Sequence, residues 1–89
     1  MDKETVQRRF HELVESNPKT VRIIRSSDEI DDLDMDKIMA SGMPNVFENF
    51  DEAMLAFISK CLAEGKDVAI QAAGNNKVIV HAARGLFLN

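Results

Sequence analysis

The sequence holds one cysteine, two prolines, four glycines and neither tryptophan nor tyrosine among its 89 residues. The lone Cys61 has no mate for an intramolecular disulfide and no companion cysteine for a zinc site, which points to a reducing compartment. No apolar run approaches the roughly 20 residues that span a bilayer. The opening Met1-Asp2-Lys3-Glu4 is of mixed charge and lacks the apolar stretch of a secretion signal, so the expectation is a cytoplasmic protein with no membrane association. Signatures of catalysis are missing too: there is no GxSxG, kinase or glycosidase motif and no HExxH spacing. Gly74-Asn75-Asn76 lacks the context of a phosphate-binding loop and reads as a turn. The chain is therefore expected to be non-enzymatic, with no catalytic residues, no metal and no cofactor.

What is present is the composition of one globular domain, residues 1–89, with 45% hydrophobic and 29% charged residues. A chain this short buries only about 60% of the surface its unfolded form exposes, so its stability is expected to be modest. There is no internal repeat, low-complexity tract or interdomain linker. Charge is unevenly spread. Residues 27–59 carry nine acidic side chains against Lys37 alone, whereas the segments on either side are mildly basic. Such asymmetry bears on partners and association rates and says nothing about fold.

Hydrophobic spacing supplies the elements. Val6, Phe10, Leu13 and Val14 fall on one helical face, with Asp2 available as a cap and Pro18 forcing an end. Thr20 to Arg25 is short and β-branched and reads as a strand. In the acidic stretch that follows, Ile30, Leu33, Ile38 and Met39 are the inward anchors, and short helical turns capped by Ser27 and Asp34 fit better than one long helix. Phe47, Phe50, Met54, Phe57, Ile58 and Cys61 form a stripe that predicts the core helix, with Asn49 and Glu52 spaced as a capping box and Gly65 as its stop.

Residues 67–73 and 77–83 predict a β-hairpin whose register the sequence leaves open between two choices. Alanines on its second face imply close approach by helix one or by a second copy of the chain. Leu86, Phe87 and Leu88 are expected to extend the last strand. The predicted fold is α+β and two-layer, helices packed on a small, mainly antiparallel sheet in the order α-β-(short α)-α-β-β.

Each candidate for chemistry has a plain structural alternative. Cys61 as a nucleophile with His81 as its base is opposed by the position of Cys61 within an apolar stripe, where a thiol behaves as a small hydrophobe. Asp28, Glu29, Asp31, Asp32, Asp34 and Asp36 supply oxygen ligands, but an EF-hand starting at Asp32 would need glycine and glutamate where Lys37 and Met43 stand. Those carboxylates read either as a solvated face with caps or as an imitation of phosphates that occupies a basic nucleic-acid groove. Arg8, Arg9, Lys19, Arg22 and Arg25 offer a direct nucleic-acid surface, against which the four-residue spacing of Glu4 and Glu12 about Arg8 points to intrahelical pairing.

The function expected from these residues is a regulatory or inhibitory interaction domain that binds a protein partner with a basic surface. Its contacts are the six acidic residues of 28–36 for steering, with Met43, Val46 and Leu86 to Leu88 supplying buried area. Homodimerisation is a further expectation, and nucleic-acid binding and acidic mimicry of nucleic acid are the alternatives.

Overall fold

A computed structural model describes residues 2–42 and 44–88. Helix α1 (Lys3–Ser16) begins where the Asp2 carboxylate accepts a hydrogen bond from the Thr5 amide at 2.7 Å. It ends before Pro18, where the Asn17 side chain donates to the Leu13 carbonyl. Strand β1 (Val21–Ile24) follows, then two short helices, α2 (Ser27–Ile30) and α3 (Met35–Ala40). After them come β2 (Asn45–Phe47), α4 (Glu52–Ala63), β3 (Asp67–Ala72) and β4 (Val78–Ala83). The fold is α+β, as the pattern predicts, with one strand more than expected.

That strand explains the principal correction. Phe47 does not belong to the core helix but to β2, which pairs antiparallel with β4 through Asn45–Val80, Val46–Ile79 and Phe47–Val78. The cap of α4 is Asp51, whose carboxylate accepts from the Met54 amide, rather than an Asn49–Glu52 box. Periodicity cannot see this boundary, because Phe47 and Phe50 keep helical spacing with Met54 while β4 offers an open edge whose backbone groups need partners. Both rings still reach the core: Phe50 meets Phe10 edge-on at 4.7 Å and Phe47 meets Phe57 at 5.6 Å. Gly65, at φ +79°, closes α4 as expected; the Gly65 amide donates to Leu62 and the Lys66 amide to Cys61.

The sheet order is β1-β3-β4-β2, with β1 and β3 parallel and the other neighbours antiparallel. The hairpin register is Val68–Ala82, Ile70–Val80 and Ala72–Val78, so these six share one face. Its turn uses positive φ at Asn75 and Asn76. On that first face α1 and α4 enclose the main core, which contains Phe10, Met54, Ile58, Cys61, Val68 and Val80. The second face carries a thinner cover: Leu33, Ile30 and Ile38 from the α2–α3 region join Ile24, Ala69 and Ala83 of the sheet with Leu86. The alanines of this face are thus met by the short helices and the segment after β4 rather than by α1.

That segment does not extend β4. Ala83 is already opposite Asp67, the first residue of β3, so continuation would leave no neighbour to bond. Instead the chain turns at Gly85 (φ +65°) and crosses the second face, where Phe87 forms an antiparallel bridge with Leu33. The Asp34 amide donates to the Leu86 carbonyl at 2.7 Å, the Leu88 amide to the Asp32 carbonyl at 2.8 Å, and the Leu86 amide to the Asp67 carboxylate at 3.0 Å.

Candidate functional site

Three groups of residues carry chemistry, and the sheet decides which of them meet. The first is the acidic segment. Its six carboxylates divide into those the fold uses and those it leaves free. Asp34 accepts from the Asp36 and Lys37 amides as the cap of α3. Glu29 accepts from the Arg25 amide at 2.8 Å, and Asp32, partly buried, has an interaction of its own. Asp28, Asp31 and Asp36 are exposed, and their carboxylates have no partner among the described residues. The continuous acidic row read from the sequence is therefore three free charges on the cover of the second face.

Around them lie apolar side chains that the cover does not absorb. Met35 and Met39, four residues apart on α3 and so on one side of it, are 50% and 76% exposed. Val46, 55% exposed, stands opposite Ile79 on the same face of the sheet. The sequence reading included Val46 but overlooked both methionines, treating Met39 as an inward anchor; Ile38 takes that place. Met43 lies outside the described residues. Among the terminal leucines, Leu86 is fully buried and belongs to the fold, a correction to its expected role as a partner contact. Phe87 is half-buried beneath the Arg22 guanidinium, 4.1 Å from the ring centroid, and only Leu88 is exposed.

The second group is Cys61 with His81. Cys61 is in the first-face core, where burial raises its thiol pKa above the ordinary value. His81 is opposite Ala69 and faces the other way. The sheet separates them, and no proton passes directly from one to the other. Burial lowers the His81 pKa; its Nε2 lies 3.3 Å from Gln71 Oε1 and its buried Nδ1 has no partner. Among the described residues, no group of three or more histidine, cysteine, aspartate or glutamate side chains is placed to hold a metal ion.

The third group is basic. Arg8 and Arg9 lie on the exposed side of α1, on the first face, whereas Arg22 is engaged with Phe87 on the second. Arg25 stands beyond the end of β1. The sheet thus divides Arg8 and Arg9 from Arg22.

A further feature had no sequence signal, because it arises only when separate elements meet. A groove of about 560 Å³ opens at the carboxyl ends of β1 and β3, floored by Phe10, Ile23, Phe50, Ile70 and Val78. Arg25, Ser26, Ser27 and Gln71 line its polar side. It continues past Phe50, Ala72 and Val78 into a second compartment of about 700 Å³ bordered by Lys3, Lys77, Asp51 and Glu52.

No protein-family model matches this chain, no curated protein resembles it significantly, and no solved structure matches it significantly. Among the described residues no helix is long and apolar enough to cross a membrane.

Proposed function

We propose that the protein is a small cytoplasmic binding module that regulates or inhibits a protein partner by docking that partner's basic surface on its second-face cover. The observation that carries this reading is the pairing of free charge with free apolar area: Asp28, Asp31 and Asp36 lack partners among the described residues in the same cover that exposes Met35 and Met39, and Val46 is exposed on the same face of the sheet. Large exposed apolar side chains bordered by charge are the composition of a contact patch rather than of an idle surface. Flexible methionine side chains adapt to a partner's relief, and unpaired carboxylates guide a basic surface from beyond contact range. The separation of Cys61 from His81 supports a binding role over a thiol-based reaction.

The test places a photo-crosslinking amino acid at Met39, and as a control at Arg9 on the outer side of α1. In cells the Met39 position should yield a discrete adduct that the Arg9 position does not. Changing Asp28, Asp31 and Asp36 together to Asn should lower that adduct and flatten its dependence on salt while far-UV circular dichroism stays unchanged. Equal labelling from both positions, or an adduct indifferent to the three charges, contradicts the reading.

A further inference from the structure

The groove at the carboxyl ends of β1 and β3 has the composition of a small-ligand site. Its floor is aromatic and aliphatic, and its volume of about 560 Å³ falls inside the range of roughly 300–1,000 Å³ typical of ligand pockets. It exists because β1 stops at Ile24, opposite Gln71, while β3 runs on to Ala72, so the sheet steps back and neither α1 nor α4 fills the notch. Crevices outside the carboxyl ends of parallel strands are where open sheets tend to bind ligands.

The polar side offers hydrogen-bond donors. Arg25 is exposed and its guanidinium has no partner among the described residues, although its backbone amide is held by Glu29. Ser26 precedes α2 without the side-chain bond that a serine there commonly makes, and the Ser27 hydroxyl is likewise unengaged. One guanidinium and two hydroxyls therefore border an apolar trough at the same end.

We infer that this groove binds a small amphiphilic anion, a molecule with an apolar body of medium length and a single carboxylate-type head. The body lies over Phe10, Ile23, Ile70 and Val78 against the edge of Phe50, and the head meets Arg25 with Ser26 and Ser27. A guanidinium hydrogen-bonded to a carboxylate is among the stronger polar contacts available to a protein, and the apolar floor supplies affinity that the head alone lacks. The inference is independent of the partner-docking reading, since it uses neither Met35 and Met39 nor the three free carboxylates.

The experiment is a titration of the isotope-labelled protein with decanoate below its micellar concentration, followed by amide and methyl NMR, with decanol and decylammonium as matched probes. Decanoate should shift Ile23, Ile70 and Val78 saturably, and Arg25→Gln should weaken it by about tenfold, the worth of a charge-assisted contact. Decanol should bind more weakly, and decylammonium more weakly still. Ala72→Trp, at an exposed position bordering both compartments, should block the groove without opening a cavity in either core and so remove the shifts. Arg9→Gln should change nothing. Unsaturable or scattered shifts, shifts centred on Met35 and Met39, or equal affinity for the anion and the cation would each overturn the assignment. Absence of the Met39 adduct, or its indifference to the three charges, leaves this titration unaffected, so the two readings fail separately.

Discussion

His81 has one ring nitrogen bonded and the other bare. Gln71 Oε1 accepts a hydrogen bond, so Nε2 is the nitrogen that carries the proton, and the buried Nδ1 faces no acceptor. Protonating Nδ1 would place a charged N–H where nothing receives it, which is why burial holds the His81 pKa below its ordinary 6.5. The sign for stability follows. At pH above 6.5 the ring is neutral in both states; as pH falls below 6.5 the unfolded chain takes up the proton first, and folding loses stability until pH has passed through the lower native value. His81→Gln keeps a side-chain amide able to donate to Gln71 and removes the titration. The difference between wild-type and variant urea midpoints should therefore be flat above neutrality and turn against the wild type on acidification. Parallel curves between pH 7.5 and 5 would show that burial does not select the neutral ring. Exposed His11 is common to both proteins and cancels in the comparison.

At the scale of elements, the segment after β4 is the piece whose role changed most between sequence and structure. Leu86 closes the second-face core and is fully buried, whereas Leu88, two residues on, is 60% exposed. Leu86→Ala should cost about 2–5 kcal/mol, the usual range for a leucine removed from a packed core. Leu88→Ala should stay within about 0.5 kcal/mol. Urea denaturation separates the two; near-equal losses would mean that the segment is a loose apolar end rather than part of the fold. The helices and the hairpin were legible because local periodicity and turn residues specify them without reference to distant partners. The second strand of the sequence, β2, was not, since three residues carry no period and are fixed by an edge supplied over thirty residues later by β4. The bridge from Phe87 to Leu33 was illegible for the same reason. The acidic residues fared unevenly: Asp34 caps α3 as its position predicts, while Glu29, read only as a surface charge, is hydrogen-bonded to the Arg25 amide. The groove joins α1, β1, β3, β4 and the residues before α4, a conjunction no single stretch of sequence displays.

The molecule as a whole has two small cores on one sheet, and the question is whether they melt as one. Alternation along β3 puts Val68 and Ile70 in the first core and Ala69 in the second, and β4 does the same with Val80 and Ala83. Neither strand can lose its backbone pairing without opening both sides. Cys61, 2% exposed in the first core, reports on that opening, because a thiol reagent reaches it only when α4 leaves the sheet. If the two cores form one cooperative unit, Leu86→Ala, on the far side of the sheet, should raise native-state labelling of Cys61 by the same factor by which it lowers the global equilibrium constant. A loss of about 2 kcal/mol corresponds to roughly thirtyfold faster labelling where reclosing outpaces the reagent. Labelling that stays at the wild-type rate while the urea midpoint falls would instead mean that the second-face cover detaches by itself. The second-face cover would then be a mobile flap over a sheet held by the first core alone.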